Sequence, residues 1–393
     1  MNLEDFEKKD LESNLEIQSL NQKTEAQEKQ IKISRAAYFP KISLTGGFEE
    51  EKKINKTERG YLGFVENNWN LYRGGRDWKS VDVSKIDFEV SRLDLEQKKR
   101  DTIAKARELY FKQIYFNETR ILKERELQFN SMQKGRASKK VDAGLTSEVD
   151  KIEFELREDS IHSTLRNIDG EKARNLQEIV TLLSSSQENP QDSFDLIGSL
   201  PEPAKLSINS AIALQDKNIT VKRTEFLEEK AQLEKNIAFG EFLPELNFKA
   251  SYGRLTPKQD GFGRNVDESI YSLLLTIPIF TGFDTVGKNQ ALVSQVSSRE
   301  KEKRQARIEF ETELKNLSSE YNELFDLYEI NEKRLVRAEK YYKITLSEYG
   351  RGIKNSPDLV GATEGLFSTR SRKIELLKDL AILRAKLYKI NGS

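Results

Sequence analysis

Cysteine is missing altogether from this sequence, and histidine appears once, at His162. Without cysteine there is no disulfide framework, no thiol nucleophile, no cysteine-ligated metal and no lipidated N-terminal cysteine, and the redox compartment stays undetermined. His162 lies in a charged helical stretch with no second histidine or cysteine, so it reads as a solvated side chain rather than a metal ligand or proton carrier. Net charge is also missing: 65 basic residues balance 65 acidic ones. A nucleic-acid binder would carry a basic excess. No run of about 18 apolar residues occurs, which excludes a transmembrane helix but not transmembrane strands, which need only about 10 residues each and alternate apolar with polar. Met1 leads directly into Asn2-Leu3-Glu4-Asp5 with no signal peptide. The chain is thus either cytoplasmic or a mature form with an added start methionine.

No catalytic constellation stands out, so we expect no enzyme, no cofactor and no metal. The nearest approach to a phosphate-binding loop, Gly261-Phe262-Gly263, lacks the third glycine and a following helix, and fits a hairpin tip better.

What the sequence does have is charge, on one third of its 393 residues, and only eight prolines. With a mean hydropathy of −0.69, this composition favours long solvated helices carrying Lys/Glu pairs one turn apart.

It also has an internal repeat. Phe39-Pro40-Lys41-Ile42-Ser43-Leu44 returns as Leu243-Pro244-Glu245-Leu246-Asn247-Phe248, offset by 204. Leu71-Tyr72-Arg73-Gly74-Gly75 returns as Ile279-Phe280-Thr281-Gly282-Phe283, and Gly144-Leu145 with Asp150 returns as Gly352-Ile353 with Asp358, both offset by 208. The step between offsets places a four-residue insertion in a loop. Each half reads helix, strand, loop, strand, very long helix, tight turn, helix. The first repeat spans 1–200: a helix over 2–37, strands near 40–52 and 60–73, a long helix 76–143, a helix 147–183 and an equatorial linker 184–205. The second spans 201–393: a helix 206–242, strands near 244–255 and 268–281, a long helix 284–350 and a helix 356–391.

Pro40 ends the first helix and opens a strand that alternates, Ile42, Leu44 and Phe48 on one face against Lys41, Ser43 and Thr45 on the other. Leu246, Phe248, Ala250 and Tyr252 oppose Glu245, Asn247, Lys249 and Ser251 in the second copy. A period of two with lysine on one side suits a barrel wall between lipid and an aqueous lumen. Tyr271 to Phe280 fits that pattern, although Pro278 removes a ladder donor near its end. In Tyr61 to Tyr72 the alternation is blurred by Glu66, Asn67, Asn68 and Asn70, so that strand is placed by its position in the repeat. Surface hairpins capping a helical bundle are the other reading of these segments.

Along the second long helix an apolar seam runs through Phe310, Leu314, Leu317, Tyr321, Leu324, Tyr328, Leu335, Ala338, Tyr342 and Tyr349, with Asn331 and Thr345 in the missing places. Its roughly 66 residues make a rod of about 100 Å, and two helices of about 36 residues stacked end to end match that length. Long helices alternating with stacked short pairs imply a tube, belted by the Ser-, Pro- and Asn-rich stretch 184–207.

These landmarks resemble the TolC family of outer-membrane efflux proteins over nearly the whole chain. The resemblance rests on Ala36 to Pro40 entering the first strand, Tyr72-Arg73-Gly74-Gly75 leaving the second, and Gly144-Leu145-Thr146-Ser147-Glu148-Val149-Asp150 at the helical turn. It implies a mostly α chain with a membrane β-barrel portion. Four strands per chain contribute to a 12-stranded barrel closed by a homotrimer, and the long helices form a periplasmic helical barrel. Physics agrees, because lipid does not tolerate open sheet edges. The loops near Ile54 to Arg59 and Thr256 to Asp267 would face outside, and the turns at Gly144 and Gly352 would lie at the far periplasmic end. The implied role is the exit duct of a tripartite efflux pump or a type I secretion system, in the outer membrane of a Gram-negative bacterium, partnered by a periplasmic adaptor (membrane fusion protein) and an inner-membrane pump. An outer-membrane location favours reading Met1 as a start added to a mature form. Cargo is left open.

By the same resemblance Gly144, Leu145, Thr146, Gly352 and Ile353 are adaptor-contact tips, and Asp150, Tyr349, Lys354 and Asp358 form a periplasmic gate. Lys354 departs from the family's arginine, replacing a bidentate contact by a point charge. Local structure offers its own account of the same residues. Ser147 to Asp150 and Asn355 to Asp358 resemble capping boxes, Ser356-Pro357 could equally serve as cap and first helical residue, and each glycine could simply end a long helix. Tyr349 also continues the seam. The rival readings of the whole chain are a soluble coiled-coil scaffold, which leaves the duplicated proline-strand-glycine hairpins unexplained, and a periplasmic adaptor, which would be expected to show a lipoyl-like β-rich domain.

Overall fold

The computed structural model of the chain describes residues 1–53, 56–183, 196–206, 218–258 and 268–391. Residues 184–195 of the expected belt, 207–217 of the expected helix, and the hairpin tip at Gly261-Phe262-Gly263 lie outside them.

The elements run α1 (Leu3–Ser13), α2 (Leu15–Arg35), β1 (Lys41–Lys53), β2 (Lys56–Arg73), α3 (Arg76–Asp142), α4 (Glu148–Leu182), α5 (Ile219–Phe239), β3 (Glu245–Lys258), β4 (Glu268–Thr276), α6 (Asp284–Gly350) and α7 (Ser356–Asn391). The two halves repeat down to their joints. Short 3₁₀ turns, Ala36–Tyr38 and Gly240–Phe242, carry α2 and α5 into their strands ahead of Pro40 and Pro244.

The first helical segment departs from the expected single helix over 2–37. It breaks at Asn14, which leaves α1 in an extended conformation (φ −68°, ψ 110°) and whose side chain accepts from the Glu16 and Ile17 amides at 3.1 and 3.2 Å. One asparagine thus ends α1 and caps α2. β4 is also shorter than expected. It stops at Thr276, two residues before Pro278, whose ring nitrogen cannot donate to a ladder.

Two compact units are present. One combines Met1–Ser19, Glu96–Ile219 and Glu309–Ser393, the other Leu20–Leu95 and Thr220–Ile308. Each draws on both sequence halves, so the units cut across the repeats.

In the first unit the seam of α6 is buried as its spacing requires. Phe310, Leu314, Tyr321 and Tyr349 are buried, and the polar positions Asn331 and Thr345 are buried with them. Asn331 is satisfied there by donating to the Thr369 carbonyl at 3.2 Å, as Asn130 of α3 does to Phe154 of α4 at 2.7 Å. Glu126 is fully buried but paired, with Lys123 at 2.7 Å and with Arg157. A second cluster gathers Phe6, Leu109, Tyr110, Ile114, Ile179 and Leu200. The segment 196–206 has neither helix nor strand, and two tyrosines pin it to the long helices: Tyr110 donates to Ile197 at 2.7 Å and Tyr321 to Ala204 at 3.1 Å.

The second unit holds one antiparallel sheet in the order β1-β2-β3-β4. Leu44 faces Val65, Val65 faces Tyr252, and Phe248 faces Leu273, so one apolar face runs across all four strands. β2 alternates as imperfectly as its sequence indicates. Tyr61, Val65 and Trp69 lie on the apolar face and Glu66, Asn68 and Asn70 on the other, but Asn67 falls on the apolar face and Leu62 and Phe64 on the polar one. An irregularity in pairing between Asn70 and Tyr72 then shifts the phase, so that Tyr72 stands opposite Leu246.

Candidate functional site

The two tight turns of the first unit are built alike. At the first, the Gly144 amide donates to the Val141 carbonyl and the Leu145 amide to the Lys140 carbonyl, both at 2.8 Å. At the second, Gly352 donates to Tyr349 at 3.1 Å and Ile353 to Glu348 at 2.9 Å. This paired pattern is a Schellman motif, and it demands a left-handed residue after the helix: Gly144 has φ +69° and Gly352 φ +77°.

In such a motif the residue after the glycine is commonly apolar because it packs back on the helix end. Here it does not. The helix-end partners are Lys140 and Glu348, and Leu145 and Ile353 stand 77% and 63% exposed. Turn geometry accounts for the glycines but not for these two side chains.

The aspartates of the two turns are held differently. Asp358 and Asn355 cap each other, the Asp358 amide donating to Asn355 Oδ1 at 3.1 Å and the Asn355 amide to Asp358 Oδ2 at 3.4 Å, so the cap of α7 is Asn355 and not Ser356. Asp150 accepts from the Thr146 hydroxyl instead, while Ser147 caps α4 by accepting from Val149. Lys354 approaches Asp358 of its own turn at 3.9 Å with both side chains well exposed. Tyr349 is 4% exposed and packs with Ala137, Phe154 and Leu359, at the meeting of α3, α4, α6 and α7. Two partners of Tyr349 had not been anticipated. Lys140 lies over its ring at 4.2 Å and donates to its carbonyl at 3.3 Å, and Ser356 donates to its hydroxyl. A lysine in the last turn of α3 was visible in the sequence, since that position favours cations. Its contact with the other repeat was not.

In the second unit, Ile42, Leu44, Phe48, Tyr252, Tyr271 and Leu273 are all exposed on the shared apolar face of the sheet. A continuous apolar face of this kind is unfavourable in water and matches the outer wall of a membrane barrel. The opposite face carries Lys41, Ser43, Glu66, Asn68, Lys249 and Ser251, with Ile270 and Leu274 as exceptions on β4. No helix among the described residues is long and apolar enough to cross a membrane. Just past the sheet, Phe280 and Phe283 meet edge to face at 5.4 Å, both 73% exposed. Phe283 adopts φ +67° where the first repeat has Gly75, a conformation that costs a non-glycine residue roughly 1–2 kcal/mol. Aromatic residues ring transmembrane barrels at the membrane interface, which gives an exposed, strained phenylalanine a use.

The sequence profile of the Outer membrane efflux protein family matches residues 8–184 and 213–393, and the chain belongs to that family. No curated protein matches it in sequence. Its fold is shared by solved outer-membrane channels. The outer membrane protein VceC of Vibrio cholerae superposes with a TM-score of 0.86 at 12% identity, covering 98% of this chain and 95% of that one. The CmeC outer membrane channel of Campylobacter jejuni gives 0.86 at 14% identity, over 99% and 85%. The open state of the MtrE outer membrane channel of Neisseria gonorrhoeae gives 0.85 at 16%, over 100% and 89%. The chain is an efflux exit duct of the outer membrane, mostly helical with a four-stranded sheet.

Proposed function

We propose that three copies of this chain close a 12-stranded barrel in the outer membrane and extend into the periplasm, where the turn tips dock on a periplasmic adaptor serving an inner-membrane pump. The observation that carries the docking is the exposure of Leu145 and Ile353 beyond what their turns require. Trimer closure is supported by the sheet, whose edge strands β1 and β4 have no outer neighbour among the described residues of the chain. Unpaired strand edges are not tolerated in lipid, and copies of the same sheet can satisfy them. The Lys41-bearing face would then line the lumen. The channel conducts passively and has no catalytic role.

At the periplasmic end, Lys354 reaches an aspartate, Asp150 or Asp358, of a neighbouring turn and helps hold the duct closed. Its contact within the chain is long and exposed, so little is lost in exchanging it. Tyr349 supports this latch from below as packing.

The tip reading is tested by Leu145→Asp with Ile353→Asp. An unpartnered carboxylate in an apolar contact is desolvated at a cost of several kcal/mol. Export should fall at least tenfold while light scattering in mild detergent still gives a trimer. Normal export in the double variant removes the docking assignment, and a monomeric wild type removes the closed barrel.

A further inference from the structure

Two helices of the first unit carry a second apolar stripe that the chain's own core does not use. α4 buries Phe154, Ile161 and Ile168 at seven-residue spacing, yet Val149, Ile152 and Leu156 on its opposite face are 57%, 45% and 62% exposed. α6 buries Asn331, Thr345 and Tyr349, yet Ile330, Tyr341 and Ile344 on another face are 61%, 57% and 46% exposed. Both stripes follow steps of three, four or their sums, as in a coiled-coil seam.

Their charges are opposite. The α4 stripe is bordered by Glu148, Glu153 and Asp159, and the α6 stripe carries Arg334 and Arg337 between Ile330 and Tyr341, with Lys340 at its edge. None of these six takes part in an ion pair among the described residues. Their levels also agree. Ile152 lies eight residues after Gly144 and Ile344 eight before Gly352, while Asp159 and Arg337 each lie fifteen residues from the same two glycines. Counted within the helices at about 1.5 Å per residue, Ile152 lies about 6 Å from the start of α4 and Ile344 about 9 Å from the end of α6, and Asp159 and Arg337 about 16 Å and about 20 Å, so each pair agrees to within about 4 Å.

We propose that the acidic apolar stripe of α4 in one copy packs on the basic apolar stripe of α6 in the next copy, forming the seam between copies beside the turns. This rests on the trimer proposed above and names the surface that makes it. Because the two faces differ, the contact is heterologous, and such contacts close into a ring when the rotation between copies allows. Lys140 beside the first turn contacts Tyr349 beside the second, so the two turns lie together in each copy, and copies arranged about one axis keep that level, which brings Ile152 opposite Ile344 and Asp159 opposite Arg337. The apolar centre supplies affinity, while the charged flanks select this pairing over α4 on α4 or α6 on α6.

The lack of cysteine makes the test clean. Chains carrying Ile152→Cys and chains carrying Ile344→Cys are co-expressed, extracted in mild detergent and oxidised. A cystine needs the two Cα atoms within about 7 Å, so a bond between the two kinds of chain reports the seam itself. Cross-linked dimer is expected from the mixture and not from either variant alone. Arg337→Glu or Asp159→Lys should each lower the yield severalfold, and the two together should restore it. If light scattering shows a trimer and the mixture gives no cross-link, the seam lies elsewhere and the trimer stands. If no trimer forms with the unmodified chain, the underlying reading fails first.

Discussion

The Ser356 hydroxyl donates to the Tyr349 hydroxyl at 3.3 Å, tying the last turn of α6 to the first residue of α7. Ser356 is completely buried and Tyr349 nearly so. The tyrosine therefore acts through its ring, which fills the space between four helices, and through a hydroxyl that satisfies a buried serine. Tyr349→Phe should cost about 1 kcal/mol by removing that hydrogen bond. Tyr349→Ala should cost about 3–5 kcal/mol because it leaves a cavity. Thermal melting of the purified protein distinguishes them, and equal losses in the two variants would contradict a packing role.

Asp10 presents a different kind of buried polar group. It is fully buried on α1 and neither carboxylate oxygen has a hydrogen-bond partner. Burial pushes its pKa up to about 7, offset only in part by the nearby Asn14 amide and Lys98 ammonium. A carboxyl whose pKa is raised on folding binds its proton more tightly in the folded chain, so ionisation opposes folding. The penalty is absent below the ordinary carboxylate pKa, grows as pH rises toward 7, and is complete above that. Asp10→Asn should raise the melting temperature at pH 8, by a stabilisation of the order of 2–4 kcal/mol, and leave it nearly unchanged at pH 4. Equal melting of the two proteins at pH 8 would show that the carboxylate is solvated or paired in the assembled protein.

How far the sequence carries can be judged at these same residues. The seam of α6 was legible because a helix period repeated over many turns leaves few other readings, and Asn331 and Thr345 fell in the seam despite their polarity. The turn glycines were legible because a left-handed position strongly favours glycine. The break at Asn14 was missed, since an asparagine within a charged run looks like one more solvated residue until its side chain is seen capping α2. The blurred alternation of β2 was legible as such, with Asn67 on the apolar face and Phe64 on the polar one, but no single-strand pattern reveals the pairing irregularity after Asn70. Lys140 comes from a helix of the other repeat, far from Tyr349 in sequence, and Ser356, though just across the turn, shows its contact only once the turn geometry is fixed.

The proposed latch can be weighed by magnitude. An exposed ion pair contributes about 0.2–1 kcal/mol, so Lys354→Ala should barely alter the stability of the chain. Three such contacts around a ring would together shift the balance of closed and open ducts by about threefold to about a hundredfold. Single-channel recording in planar bilayers should show higher conductance or more frequent opening in Lys354→Ala, and the wild type should approach that behaviour in high salt, which screens exposed charge. Unchanged conductance and salt dependence would leave Asp150 and Asp358 as helix-start residues only, stabilised by their own turns and by the helix dipole.

Gly74 and Gly282 occupy the same place in the two repeats, each left-handed, with φ +59° and +67°. Their surroundings differ. A Cβ on Gly74 would stand 2.2 Å from the Gly240 carbonyl oxygen and 3.0 Å from the Leu243 side chain, while one on Gly282 meets nothing within 4 Å. Gly282→Ala should therefore cost only the left-handed backbone penalty, roughly 1–2 kcal/mol, and still assemble. Gly74→Ala adds an overlap with backbone that cannot rotate away, at the joint where β2 enters α3 and where Arg76 pairs with Glu245. That joint would have to move, and the sheet with it. The yield of detergent-extracted trimer should fall severely for Gly74→Ala and little for Gly282→Ala. Equal yields would mean that the first joint yields as readily as the second, and that the close approach of Gly74 to Gly240 is not needed for the sheet to form.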